Sequence, residues 1–183
     1  MSDTLKPYSM ITDFVTGKEI PNVGAEENRQ MVERFLVAEK GFSKEDIAVD
    51  VDIEISVAGE TYRSQIDLVV SVDDEYGSIP FMAIKCAAAS LGSREREILA
   101  AARLLAENQL PFSVVSDGKT AIVLDTVSGK NLGEGLNAIL SKAEARERLR
   151  EIKPLPFPKE KREREKLIFR SFDSMNVNVG RNL

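Results

Sequence analysis

Two ionisable residues stand inside stretches that are otherwise apolar. Asp67 lies within Ile66-Asp67-Leu68-Val69-Val70, and Lys85 lies near the end of Phe81-Met82-Ala83-Ile84-Lys85-Cys86-Ala87. Both stretches have the length and continuity of strands covered on both faces. A charge buried there without a partner costs on the order of several kcal/mol, so each needs compensation. One solution is structural: an ion pair between neighbouring strands, or an ammonium that reaches solvent at the end of the sheet. The other is chemical, a metal-dependent phosphodiesterase site. In such a site an Asp holds Mg²⁺, a second acidic group completes the metal shell, and a Lys positions or polarises the attacking water.

The rest of the composition narrows the chemistry. The 183 residues contain no His and one Cys. Ser-His-Asp and Cys-His catalysis, histidine bases and histidine metal sites are therefore excluded. Catalysis by this chain would rest on Asp, Glu, Lys, Arg, Tyr, backbone groups or a metal held by oxygens. Cys86, flanked by apolar residues and with no histidine to activate it, reads as a buried structural thiol. No run of about 18 apolar residues is present, so no membrane span is expected. The opening MSDTLKPYSM lacks a basic segment followed by an apolar core and does not read as a secretory signal. A cytoplasmic protein is expected.

Periodicity supplies the scaffold. Residues 1–23 carry Pro7, Gly17, Pro21 and Asn22 with weak periodicity and read as an irregular arm. Met31, Val32, Phe35, Leu36 and Val37 recur at helical spacing, predicting a helix over about 25–40 with an acidic start and Gly41 as its stop. From Val49 to Val57 apolar residues alternate with Asp50, Asp52, Glu54 and Ser56, which predicts a strand with one wet face. The next two strands are predicted over about 63–72 and 79–88. A helix from Ser93 follows, then a strand, an Asp117-Gly118 turn and a second strand. The last prediction of this series is a helix from Leu132 to about Ile152. Helix, three strands, helix, two strands and helix define an α/β fold: a mixed central sheet with helices on both faces.

At this point the sequence resembles a family. ENRQMVERFLVAEKGF, QIDLVV, MAIKCA and PFSVVSDGKTAIVLD, in that order, resemble the N-terminal nuclease domain of type I restriction enzyme R subunits. The resemblance divides the chain into an arm (1–23), a restriction-endonuclease-like domain (24–137) and a charged helical extension (138–183). It implies the three-layer fold of the PD-(D/E)XK superfamily and Mg²⁺-dependent cleavage of DNA. Asp67 falls on the strand aspartate, and Glu26, Arg29 and Gln30 fall on the Glu-x-x-Arg-Gln string of the first helix. The match departs at the next strand, where the family carries Glu-x-Lys. If Lys85 is the motif lysine, Ala83 stands where the second carboxylate belongs; if Cys86 is aligned with the middle residue, Lys85 replaces the glutamate and Ala87 the lysine. As written the site is one carboxylate short, and cleavage under ordinary Mg²⁺ conditions is expected to be weak or absent. In some restriction endonucleases the following helix supplies the missing group. Glu97, ranked first because it directly precedes Ile98 and Leu99, is the candidate, with Glu95 and Glu26 as substitutes. Glu95 and Glu97 diverge by about 200° around a helix, so at most one of them faces the site.

The C-terminal part is compositionally distinct. Residues 141–170 hold 11 Lys or Arg against 6 Asp or Glu, a balance of +5 in a chain of net charge −5. Pro154, Pro156 and Pro158 make a stiff spacer before PKEKREREKLIFRSF, whose cations read either as a solvated helix with internal ion pairs or as phosphate contacts. Leu167, Ile168, Phe169 and Phe172 need burial, for which a homodimer or partner subunit is the expected host. Ser116–Thr120 lacks the framework of a phosphate loop and reads as a turn, and Gly133–Gly135 is too short to signal nucleotide binding. The functions carried forward are a Mg²⁺-dependent nuclease, a catalytically inactive binding or assembly module of the same fold, and a structural protein in which Asp67 and Lys85 merely pair.

Overall fold

The computed structural model describes residues 8–75 and 77–175. Eight strands and four helices form in the order β1 (Met10–Thr12), β2 (Glu19–Pro21), α1 (Glu26–Ala38), β3 (Ile47–Val57), β4 (Glu60–Asp74), β5 (Gly77–Cys86), α2 (Glu95–Leu104), β6 (Phe112–Ser116), β7 (Ala121–Asp125), β8 (Asn131–Glu134), α3 (Lys142–Glu151) and α4 (Lys159–Ser174). β1 and β2 make a small hairpin of their own. The other six strands form one sheet in sequence order, β3-β4-β5-β6-β7-β8. All neighbours are antiparallel except β5 and β6, which α2 connects as a parallel pair.

Three layers result. Val32 and Leu36 of α1 and Ala145 of α3 pack with Leu68, Val70, Ile84, Val114 and Val123 on one face of the sheet. Ile98, Ala101 and Ala102 of α2 and Phe169 of α4 pack with Val69, Ala83 and Val115 on the other. The continuous apolar character of β4, β5 and β6 follows from this double cover.

A change of face occurs where Asp67 lies. In β4, Leu68 and Val70 point to the first core while Ile66 points to the second; in β3, Ile47 and Ile53 divide the same way. Strict period-2 alternation would put Ile66 and Leu68 on one side. The alternation slips at Asp50, whose φ of 53° puts a non-glycine residue in the left-handed region. Registers such as Val49↔Leu68 and Val51↔Ile66 flank that point.

Several elements differ from the sequence expectation. The arm is not irregular throughout, because Met10–Thr12 pairs with Glu19–Pro21. The helix predicted from Leu132 starts only at Lys142; Asn131–Glu134 is instead the edge strand of the sheet. Ser141 caps that helix, accepting from the Glu144 N–H while Glu144 reaches back to the Ser141 N–H. Ser93 does not cap α2: its hydroxyl donates to Ser90 O, and a single 3-10 turn over Gly92–Arg94 leads into the helix at Glu95. The Asp117-Gly118 turn is present, and there glycine is required twice over. Its φ is +81°, and an added Cβ would sit 2.7 Å from Met31 Cβ.

The charged extension folds back onto the domain. Leu155 O accepts from the Gln109 N–H at 3.0 Å, which holds the proline segment against the α2–β6 connection. α4 then lies along α2 and buries Phe169, which meets Tyr62 edge-on at 6.2 Å between ring centroids. Tyr62 also donates to Asp173 at 2.6 Å. Phe169 and Ile168 are thus taken up within the chain's own second core, while Leu167 stays 52% exposed. The expectation of self-association rested on these residues, and part of that motive is gone. Among the described residues no helix is long and apolar enough to cross a membrane.

Candidate active site

The antiparallel register Leu68↔Ile84, continued by one residue, sets Asp67 across from Lys85. Their charges meet: Lys85 Nζ lies 3.5 Å from Asp67 Oδ2. Asp67 Oδ2 also accepts from the Cys86 backbone N–H at 2.8 Å, which ties the carboxylate to β5. The same ammonium lies 3.1 Å from Glu97 Oε1, and Glu97 Oε2 lies 3.6 Å from Arg94. The three central residues are nearly sealed, at 2%, 6% and 3% exposure for Asp67, Lys85 and Glu97. Two carboxylates therefore converge on one buried ammonium from different elements, a strand and a helix. Glu97 faces inward because Ile98, Ala101 and Ala102 turn that side of α2 toward the sheet.

Asp67 and Lys85 form part of the wall of a cavity of about 70 Å³, with Glu26, Arg29 and Arg94 also on its lining. Glu97 reaches Lys85 without being part of that lining. Ala83 is fully buried among the side chains of the second core. A carboxylate at that strand position would have faced apolar neighbours, whereas the first turn of α2 delivers one to the same ammonium. Glu95 is not brought to the cavity; Glu26 is, but it is bound to Arg29 at 2.7 Å.

A second buried charge cluster adjoins the cavity. Arg29 lies 3.2 Å from Asp13, 2.7 Å from Glu26 and 2.8 Å from Asp50, and 3.6 Å from Glu33. Gln30 donates to Asp13 and accepts from the Phe14 N–H at 2.6 Å; Glu33 accepts from the Val15 N–H. The arm is thereby fastened to α1. Burial pushes the Glu33 carboxyl up to about 7, with the Asp13 charge adding and Arg29 opposing. Burial also pushes Asp13 upward, but hydrogen bonds from Thr16 and Gln30 and the Arg29 charge outweigh it and hold Asp13 below its ordinary value. Burial raises the Cys86 thiol well above its usual range, with the Asp67 charge adding, as an inert thiol requires.

Sequence reasoning had Asp67, Lys85, Glu97, Glu26, Arg29 and Gln30. It missed Asp13, Glu33, Asp50 and Arg94. Asp13 sits in the arm, which showed no pattern, and Asp50 sat on what looked like the wet face of a strand. Glu33 did carry a signal: it stands four residues after Arg29 and three after Gln30, on one side of α1.

The sheet thus carries a carboxylate and an ammonium on adjacent central strands, and a helix returns a second carboxylate to them, within a three-layer α/β fold. The family described as Type I restriction enzyme R protein N terminus matches residues 24–139, and the chain belongs to that family. No curated protein and no solved structure matches it.

Whether the site suits Mg²⁺ can be judged from its donors. Among the described residues no group of three or more His, Cys, Asp or Glu side chains is disposed to enclose one ion. Mg²⁺ does not need such a cage, since it keeps several waters and binds through one or two carboxylates plus substrate phosphate oxygens. Asp67 and Glu97, both drawn to Lys85, are a donor set of that kind.

Proposed function

We propose that this chain is a Mg²⁺-dependent nuclease domain acting on DNA phosphodiesters, in which Glu97 replaces the carboxylate missing at Ala83. The observation that carries the reading is the meeting of Asp67 and Glu97 on Lys85, at 3.5 and 3.1 Å, beside a small cavity. Family membership supports the substrate class.

Asp67 and Glu97 would hold the ion; when bound, it supplies charge stabilisation to the phosphoryl oxygens as the transition state forms. The chain's own residues have definable tasks. The Cys86 N–H and the strand backbone fix Asp67. Lys85, held between two carboxylates, presents N–H donors toward the cavity, where it orients a water against the phosphorus. Arg94, on the cavity lining, places a guanidinium within reach of a scissile phosphate. Burial of all three central residues keeps their charges in a low-dielectric setting, where each acts more strongly than in water.

The test is cleavage of supercoiled plasmid by the full chain with Mg²⁺ or Mn²⁺, compared with Asp67→Asn, Glu97→Gln and Glu95→Gln. Asp67→Asn and Glu97→Gln are each expected to lower the rate at least about a hundredfold, and Glu95→Gln to leave it unchanged. A folded wild type that takes up no divalent ion and cleaves nothing would sink the reading in favour of an inactive binding module.

A further inference from the structure

α4 lies beyond residues 24–139, and it creates a feature that the domain alone would lack. Between α2 and α4 runs a groove of about 560 Å³. Arg96 of α2 and Lys161 and Arg164 of α4 are its exposed cations, and the more buried Phe157, Pro158 and Ile168 supply its apolar lining. Arg103, deeper in the groove, is already neutralised: it donates to Glu165 at 2.7 Å and to Thr126 O at 2.9 Å. The exposed cations differ. Lys166 and Arg170 on the same helix pair with Glu163 and Glu60. Arg96, Lys161 and Arg164 are exposed and make no ion pair with any described residue.

Three uncompensated cations thus border one groove in a chain whose net charge is −5. Glu165, the acid on the groove lining, is taken up by Arg103. The apolar lining reinforces the effect, because low-dielectric walls focus the field of the exposed cations into the groove. Arg96 directly precedes Glu97, so the groove and the Asp67–Lys85–Glu97 cluster share the first turn of α2.

We propose that the α2–α4 groove is a track for the phosphodiester backbone of a nucleic acid, running beside the helix that carries Glu97. The choice of a nucleic acid over an acidic peptide rests on the nuclease reading; the presence of an anion-binding groove does not. Guanidiniums at positions 96 and 164 suit phosphate oxygens through paired N–H donors, and Lys161 adds a point charge between them. Such contacts carry no sequence preference and weaken steeply with salt.

The experiment measures anisotropy of a fluorescein-labelled DNA duplex with the full chain in EDTA, where no cleavage can occur, over a series of salt concentrations. The triple variant Arg96→Ala/Lys161→Ala/Arg164→Ala is expected to bind at least about tenfold more weakly, with the slope of log K against log salt reduced by about 3. Arg146→Ala/Arg148→Ala/Arg150→Ala, which removes three cations of α3, is the charge-matched control and is expected to bind as the wild type does. Far-ultraviolet circular dichroism and a melting curve on each variant confirm that both fold. Equal affinity and slope in the groove variant, or equal losses in both variants, would overturn the proposal. So would a wild type that binds no duplex at low salt, or one that binds poly-L-glutamate as tightly as DNA. Asp67→Asn separates the two readings: unchanged binding without cleavage keeps both, whereas a wild type that binds through the groove yet never cleaves removes only the nuclease.

Discussion

Lys85 and Arg29 are both buried cations near the same cavity, and they are held in different ways. Lys85 has two carboxylate neighbours, one from a strand and one from a helix. Arg29 has four, drawn from the arm, from α1 on either side of it and from β3. The Arg29 cluster also consumes backbone groups, accepting the N–H of Phe14 and of Val15 through Gln30 and Glu33. It behaves as a clasp that holds the arm to the helix. The Lys85 cluster joins β4 and β5, already held by their ladder, to the first turn of α2 and takes up no backbone group of the arm. Burial of charge alone therefore does not mark a reactive site. The Lys85 cluster differs in setting two carboxylates on one ammonium at the wall of the cavity.

Removing each cation should break the comparison in its own way. Arg29→Met would leave Asp13, Glu26 and Asp50 gathered without their counter-charge, and is expected to cost toward the upper end of about 3–5 kcal/mol in urea denaturation. Protease cleavage within residues 8–22 should accelerate in parallel, and Mg²⁺ should restore nothing. Lys85→Met is expected to cost about 3 kcal/mol in EDTA, because Asp67 and Glu97 then face each other unshielded. Here millimolar Mn²⁺ or Mg²⁺ should recover much of the loss, since a bound cation stabilises the folded state by mass action. Equal metal responses of the two variants would erase the distinction.

A smaller effect concerns acidity. The folded value of Glu33, about 7, lies above its ordinary 4.5. The folded state then keeps a proton that the unfolded chain releases between those two values. This contribution to stability is complete below pH 4.5 and is lost as pH rises through 7. Glu33→Gln keeps an oxygen for the Val15 N–H without the charge, so it should raise stability at pH 8 by about 1–3 kcal/mol and flatten the profile between pH 4.5 and 7. Melting curves across that range would read it directly, and a variant less stable than wild type at pH 8 would contradict it. The smallest change belongs to the surface: Glu60→Ala removes the exposed pair with Arg170 and should cost less than about 0.5 kcal/mol.

The order of the central elements was legible because their apolar periods were long. β3 to β5, α1, α2 and the β6–β7 hairpin each carry several residues of one period, so local pattern and final packing agree. The three-residue strands of the arm have too few positions to show a period at all. The late start of α3 was misread even though its signal was present: Ser141 and Glu144 form a capping box, and Gly135, at φ 88°, interrupts the helix drawn from Leu132. At the site, Glu97 could be found because it directly precedes the apolar stripe of α2. Asp13 and Asp50 could not, since only the folded chain brings residues 13, 29 and 50 together.

The position of Phe169 bears on how the protein must be made. Synthesis runs from the N-terminus, and the strands bearing Asp67 and Lys85, with their neighbour β6, are complete once Ser116 has been added. The second core is not closed until Phe169 arrives, more than fifty residues later, and packs with Ile53, Ile55 and Ile66. At about 5–20 residues per second, that interval leaves the apolar side of the β3–β4 ribbon open for several seconds on every ribosome. During this time the nascent chain presents the surface most able to pair with its neighbours on a polysome, and the last helix ends that exposure.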